Sequence, residues 1–115
     1  MAYNEKITNR VRAALAHITN VEEKKMFGGI AFMVDEKLCI TVGDDEIMCR
    51  IDPAMNDMVL TKKGCRQVIM KGHEYKGYVY VNEEAMKTQK DFNYWIGISL
   101  DFNKTAKSSK KKKNS

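Results

Sequence analysis

The chain opens with a helical pattern of apolar and polar positions. Apolar side chains recur at spacings of three and four within residues 4–17, at Ile7, Val11, Ala14 and Leu15. Asn4 precedes the first of them and is suited to cap the free backbone N–H groups of a helix. We therefore predict one amphipathic helix over residues 4–17.

From Lys25 the spacing changes to the two-residue alternation that is typical of strands. Three such runs follow one another, at 25–34, 37–42 and 46–51. The turn signals between them are Asp35-Glu36 and the Gly-Asp-Asp-Glu segment 43–46. The pattern predicts a three-stranded antiparallel meander.

The alternation within the second hairpin also predicts its register. A turn centred on Asp44-Asp45 pairs apolar residues with one another: Val42 with Ile47, Ile40 with Cys49, and Leu38 with Ile51. Carried back through the first turn, the same alternation puts Gly29, Ala31 and Met33 on this core face. We interpret Gly28-Gly29 as a bulge or a close backbone approach, because no Lys-Ser/Thr follows the pair as a phosphate-binding loop would require.

The second half of the chain predicts a helix, two strands and a last helix. Asp52-Pro53 is an N-cap followed by proline at the first helical position, and Gly64 ends that helix. Strands follow at 66–70 and 77–81, joined by the loop KGHEYK. The last helix runs from a capping Thr88 to about Phe102, and its apolar face is formed by Phe92, Trp95, Ile96 and Leu100.

These elements give the order α-β-β-β-α-β-β-α, which is typical of the α+β class. We predict a two-layer domain with a mainly antiparallel sheet over residues 1–103. Residues 104–115, the lysine tail, contain no large apolar side chain and are predicted to be disordered.

The charge of the chain is concentrated in that tail. Six of the 20 basic residues are lysines within residues 104–115, and without them 14 basic residues stand against 15 acidic ones. The net charge of +5 therefore describes the tail and not a basic face of the domain. We expect nucleic-acid binding only through the tail, at Lys110, Lys111, Lys112 and Lys113, and a merely solubilising tail is the alternative.

Cysteine usage and the first residues predict a cytoplasmic protein. The three cysteines form no CxxC pair, and MAYNEKITNR lacks the apolar region of a signal peptide. No uncharged apolar run is long enough to span a membrane. We therefore expect reduced thiols and no membrane association.

The thiols and histidines give little support for catalysis or metal binding. The predicted register places Cys39 beside Arg50, which would lower the thiol pKa somewhat, while Cys49 lies on the opposite face. Neither candidate base, His17 or His73, is placed near Cys39 by the pattern, and isolated cysteines and histidines do not make a zinc site. We expect no catalytic residue, no cofactor and no metal.

One run of ten residues resembles part of the N-terminal domain of the TfoX/Sxy proteins, the competence regulators. It is Lys24-Lys25-Met26-Phe27-Gly28-Gly29-Ile30-Ala31-Phe32-Met33. The preceding helix, the Leu38–Asp52 hairpin, the Gly77–Val81 strand and Trp95 extend the resemblance over roughly residues 3–103. It implies a two-layer fold related to the secretion-chaperone-like architecture. It also implies a non-enzymatic regulatory role in DNA uptake by bacteria, with the cyclic-AMP receptor protein as partner at competence promoters.

Full-length members of that kind carry a second, C-terminal helical domain. The lysine tail stands in its place here, so we expect a stand-alone N-terminal domain. We interpret the protein as a regulatory interaction module that binds a protein partner or forms a homodimer, without a small-molecule substrate. The alternatives are a nucleic-acid-associated protein that uses its tail and, more remotely, a small thiol enzyme around Cys39.

The expected interaction surface is the sheet face opposite the helices. The predicted registers place an apolar set there that is too large for a freely solvated surface: Met26, Ile30, Phe32, Cys39, Met48, Tyr78 and Tyr80.

Overall fold

A computed structural model gives the fold and describes residues 4–26 and 29–106. The described residues form three helices and six strands: α1 (Glu5–Ala14), β1 (Val21–Met26), β2 (Gly29–Val34), β3 (Lys37–Val42), β4 (Glu46–Arg50), α2 (Asn56–Val59), β5 (Cys65–Met70), β6 (His73–Asn82) and α3 (Gln89–Asn103). The strands make one antiparallel sheet in the order β1-β2-β3-β4-β6-β5. The predicted α+β class is confirmed.

The meander has four strands where the sequence predicts three. The predicted strand 25–34 is in fact the end of β1 and the whole of β2, which pair antiparallel with Met26 opposite Gly29. The run Glu22–Lys25 forms a strand although it is wholly charged, because β1 lies at the edge of the sheet and these side chains stay exposed.

Gly29 is therefore the first residue of β2 and does not lie inside one continuous strand from 25 to 34. Phe27 and Gly28 fall outside the described residues. At Gly29 the expected close backbone approach is confirmed, because a Cβ atom there would overlap the carbonyl oxygen of Val42.

A β-bulge in β3 reverses the predicted faces of β2. Next to the turn, Met33 pairs with Leu38, as a two-residue turn at Asp35-Glu36 requires. The neighbouring Phe32 pairs with Ile40, so that Cys39 is one extra residue in β3. One extra residue reverses the alternation for every position beyond it.

The prediction that Gly29, Ala31 and Met33 lie on the core face is consequently wrong. Ile30 and Phe32 occupy that face, opposite Val42 and Ile40. The β3–β4 hairpin itself pairs as predicted, Val42 with Ile47 and Ile40 with Cys49. The predicted Leu38–Ile51 pair does not form, because the pairing of β3 with β4 stops at the bulge.

The hydrophobic core lies between the sheet and the two longer helices. The helices contribute Ile7, Val11, Phe92, Trp95 and Ile96, together with Leu15, which directly follows α1. The sheet contributes Ile30, Phe32, Val34, Ile40, Val42, Ile47, Cys49, Val79 and Val81. α3 packs across β3 and β4, and α1 lies beside α3. The apolar stripes predicted for the first and last helices are confirmed.

Local capping explains where the helical segments start. Asn4, Asp52 and Thr88 each accept a hydrogen bond from a backbone N–H two or three residues later, at 3.0, 2.9 and 3.0 Å. Asp52 caps a 3-10 turn, Pro53–Met55, that leads into α2. A second 3-10 turn, Glu83–Met86, precedes α3.

The β5–β6 hairpin is longer than predicted and is bent. The turn consists only of Lys71 and Gly72, both with positive φ (53° and 79°), as a type I′ turn requires. Residues predicted as loop therefore belong to β6. Pairing is irregular between Gln67 and Ile69, opposite the segment 75–78 of β6.

α3 is tied to the sheet at its C-terminal end. The Lys37 ammonium donates to the Asn103 carbonyl oxygen at 2.7 Å, and the Asn103 amide donates to Val34 O at 3.3 Å. A turn follows over residues 104–106, in which Ala106 is buried. Residues 107–115 lie outside the described part, and the predicted boundary at 103/104 stays a prediction. No helix among the described residues is long and apolar enough to cross a membrane.

Candidate interaction surface

The sheet face that the helices leave uncovered is called the open face here. Its central row runs across four strands, with Thr41 opposite Met48, Met48 opposite Tyr80, and Tyr80 opposite Arg66. In the next row Tyr78 lies opposite Arg50. The sequence correctly places Met48, Tyr78 and Tyr80 on this face.

Three other residues expected on the open face are part of the hydrophobic core. Ile30, Phe32 and Cys39 are buried and belong to the core cluster. The cause is the bulge at Cys39, which turns the alternate residues of β2 toward the helices. The side chain of Met26 is not described.

Arginine side chains lie over the two tyrosine rings of the open face. The guanidinium carbon of Arg66 is 4.5 Å from the ring centre of Tyr80, and that of Arg50 is 5.7 Å from the ring centre of Tyr78. Arg66 also donates to both carboxylate oxygens of Glu46, at 2.7 and 2.8 Å. These contacts order long side chains that would otherwise sample many rotamers.

A third tyrosine extends this arrangement. The ring of Tyr75 meets the ring of Tyr78 edge-on, with 6.4 Å between their centres, and Tyr75 is 40% exposed. We call the set Tyr75, Tyr78, Tyr80, Arg50 and Arg66 the tyrosine surface.

A buried amide network holds the bent segment of β6 that carries Tyr75 and Tyr78. Asn56 accepts a hydrogen bond from the backbone N–H of Gly77 and donates to Gln67 Oε1, both at 2.8 Å. Gln67 in turn donates to the carbonyl oxygens of Tyr75 and Tyr78. Gly77 has a φ of +93°, which a side chain would strain. The bend is therefore a built feature of the fold.

A cavity of about 380 Å³ opens beside the tyrosine surface. Its walls include Thr41, Glu46, Met48, Met70 and Tyr80. Met70, at the end of β5, reaches this cavity because the hairpin is bent. The Thr41 hydroxyl is buried, and no described residue forms a hydrogen bond with it.

Sequence reasoning missed Arg66, Met70 and Tyr75 as members of this region, whereas the alternation along β3 does put Thr41 on the face opposite the core. Tyr75 belongs to the segment that was interpreted as a loop, and Met70 directly precedes that segment. The available signal was Gly72 after Lys71, since a two-residue turn of this kind joins two strands directly. No local signal reveals that the hydroxyl of Thr41 lacks a partner.

The three cysteine thiols have raised pKa values and are therefore poor nucleophiles at neutral pH. Burial raises the pKa of Cys39 to about 12, and the positive charge of Arg50 offsets this only in part, so the expected lowering of the pKa is wrong. Burial also raises the pKa of Cys49 to about 12 and that of Cys65 to about 11. All three cysteines are unpaired thiols, and almost none of each is thiolate at neutral pH.

Both histidines are exposed, His17 in the turn after α1 and His73 at the start of β6. Within residues 4–26 and 29–106 no group of His, Cys, Asp and Glu side chains is arranged to hold a metal ion. Lys110, Lys111, Lys112 and Lys113 lie outside the described residues, so nucleic-acid binding through the tail stays a prediction.

The fold and its site define a class: a two-layer α+β domain with one antiparallel sheet, helices on one face, and aromatic and arginine side chains on the other. Within that class, the model of the TfoX N-terminal domain matches residues 13–103, and the chain belongs to this family. The matched range runs from within α1 to the end of α3. Comparisons with curated proteins and with solved structures give no significant match.

Proposed function

We propose that the protein is a cytoplasmic, non-enzymatic regulatory module that contacts a protein partner or a second copy of itself through the tyrosine surface. Membership of the TfoX N-terminal domain family supports a competence-regulator-like role. Transcriptional co-regulation of DNA uptake is the process that this family suggests.

The composition of the tyrosine surface carries the proposal. Tyrosine and arginine are enriched in protein interfaces and are over-represented among the residues that contribute most to binding. Here three tyrosines and two arginines lie together, with Arg66 over the ring of Tyr80 and Arg50 at 5.7 Å from the ring centres of both Tyr78 and Phe102 of α3. Side chains that are ordered beforehand lose less entropy when a partner binds.

The chemistry of the remaining groups favours binding over catalysis. A thiol nucleophile needs a depressed pKa and a neighbouring base. Cys39 is buried with a raised pKa, and both histidines are exposed. These observations support a non-enzymatic role.

Sedimentation velocity over a range of concentrations tests the proposal, first with the protein alone and then with purified cyclic-AMP receptor protein. We expect a dimer or a mixed complex for the wild type. Tyr78→Glu should abolish it because a carboxylate replaces a ring at the centre of the surface, while Lys90→Glu, an exposed change on α3, should not.

The circular dichroism spectra of both variants should match the wild type. A folded Tyr78→Glu protein with wild-type sedimentation would contradict the proposal. So would a wild-type protein that stays monomeric and binds no partner.

A further inference from the structure

We infer that the open-face cavity is a binding site for a small, uncharged aromatic molecule that carries one hydroxyl or carbonyl group. The inference goes beyond the proposed function, since it concerns a ligand that is bound and not a protein contact. The volume of the cavity, about 380 Å³, falls within the range of small-molecule sites.

The first argument is the unpartnered hydroxyl. Thr41 is 6% exposed, and its Oγ1 has no hydrogen-bond partner among the described residues. Buried hydroxyls without a partner destabilise a fold, and native structures contain few of them. Thr41 lines the cavity, and in this proposal its buried hydroxyl turns toward the bound molecule by rotation about χ1.

The second argument is the chemistry of the walls. Met48, Met70 and Tyr80 provide two thioethers and one aromatic ring. Thioether sulfur makes favourable contacts with aromatic rings, and methionine adapts its shape at low cost. Met70 is 39% exposed, so its side chain has room to move when a molecule enters. These walls favour an aromatic ligand over a purely aliphatic one.

The third argument is the charge at the rim. Glu46 is the one ionised wall residue, and both of its oxygens accept hydrogen bonds from Arg66. The site therefore offers neither a free cation to an acid nor an unpaired carboxylate to an amine, which favours an uncharged ligand. Among the buried polar side-chain atoms of the described residues, only the Thr41 hydroxyl, which both donates and accepts, lacks a partner.

The test uses two probes of equal shape, p-cresol and p-xylene, which differ by a hydroxyl in place of a methyl group. The full chain is labelled at its methionine methyl carbons, and the Met48 and Met70 signals are assigned with the variants Met48→Leu and Met70→Leu. We expect p-cresol to shift both signals saturably and the signal of Met58, an exposed residue of α2, not at all. One added hydrogen bond should make p-cresol bind about tenfold more tightly than p-xylene.

Three threonine variants locate that hydrogen bond. Thr41→Val keeps the side-chain shape without the hydroxyl, so both probes should then bind within about twofold of each other. Thr41→Ser retains the hydroxyl and should retain the preference for p-cresol. Thr61→Val, a matched change at an exposed residue whose hydroxyl donates to Met58 O, should also retain it.

The inference is overturned if neither probe shifts Met48 and Met70 saturably, as expected if the cavity holds only water or accepts only a protein side chain. It is also overturned if the preference for p-cresol persists in Thr41→Val. Tyr78, the residue altered to test the proposed function, does not line the cavity, so the two proposals fail independently.

Discussion

Buried hydroxyl groups differ in their hydrogen bonding between the two sides of the sheet. In the helix layer on the covered face, each buried hydroxyl is bonded to the backbone four residues earlier: Thr8 of α1 donates to Asn4 O at 2.8 Å, and Ser99 of α3 donates to Trp95 O at 2.9 Å. On the open face, the buried hydroxyl of Thr41 lacks a partner. Among the described residues it is the only buried side-chain polar atom in this state.

The difference separates two roles. The covered face combines close apolar packing with complete hydrogen bonding, which gives stability. The open face has one exposed and two half-buried tyrosine rings, arginine side chains that contact rings, and one unsatisfied hydroxyl, features that suit the binding of another molecule. Mutations on the two faces should therefore have opposite profiles, large effects on folding on one face and large effects on binding on the other.

Phe32→Glu should have the largest effect on folding. Phe32 is fully buried on the covered face, so the change removes a large apolar side chain and buries a carboxylate, at a cost above about 4 kcal/mol. Circular dichroism at 25 °C should report an unfolded chain. The matched open-face change Tyr78→Glu should leave the native spectrum. Equal spectra for the two variants would contradict the conclusion that only the covered face is needed for folding.

Trp95→Ala should destabilise the protein by about 3–5 kcal/mol. Trp95 is 2% exposed, lies at the centre of the α3 stripe, and donates from its indole N–H to Ala85 O at 3.3 Å. Urea denaturation measures the effect as a lower midpoint. Trp95→Phe, which keeps much of the ring, should lose clearly less. A loss below about 1 kcal/mol for the alanine variant would mean that α3 does not anchor the core.

Valine substitutions at Thr8 and Thr41 test the comparison for a single hydroxyl group. Thr8→Val breaks a bonded hydroxyl and should cost about 0.5–1.5 kcal/mol. Thr41→Val removes an unsatisfied one from a strand position and should be neutral or stabilising, by up to about 1 kcal/mol. Both values come from urea midpoints. The same loss in both variants would show that Thr41 is satisfied in solution.

The smallest effect is expected at the rim of the covered face, where Arg12 of α1 donates to Glu23 of β1 at 2.7 Å. The hydrogen bond from Arg12 holds the pKa of Glu23 below its usual value of 4.5. A lowered pKa in the folded state stabilises above the unfolded pKa, and this contribution disappears as the pH falls through the folded pKa.

Arg12→Gln should therefore lower stability at pH 7 by at most about 1 kcal/mol, because the pair is partly exposed. The difference from the wild type should vanish in acid. A carboxyl NMR titration should show the pKa of Glu23 rising toward 4.5 in the variant. An unchanged pKa would show that the pair does not persist in solution.

Local signals predict the caps and turns of this fold well because each depends on a few adjacent residues, whereas the predicted ends of the first two helices are wrong: α1 ends at Ala14 and not at 17, and α2 ends at Val59, before Gly64. Thr88 and Asp91 are enough to place the start of α3, and Asp35-Glu36 is enough to place a hairpin turn. The edge strand β1 has no such signal. Its charged run forms a strand only because β2 pairs with it.

The bulge explains why three of the seven residues expected on the interaction surface lie in the core. Cys39 carries no glycine or proline signal, yet as one added residue it moves Ile30 and Phe32 to the core. Side-chain size was the overlooked clue, since Ile30 and Phe32 are bulkier than Gly29 and Ala31 and fill a core better. Tyr78 and Tyr80 were placed correctly because their alternation with Val79 and Val81 is uninterrupted.

The strand order also has a consequence for the way the chain reaches this fold. β1 to β4 each pair with a neighbour in sequence, so this meander has only short loops to close and can form while the rest of the chain is still being synthesised. β6, in contrast, pairs with its sequence neighbour β5 on one side and with β4 on the other. The segment that contains α2 and β5 separates β4 from β6 in the chain. We therefore expect the docking of the β5–β6 hairpin onto β4 to set the folding rate, and the open-face cavity, which needs both halves, to be completed last.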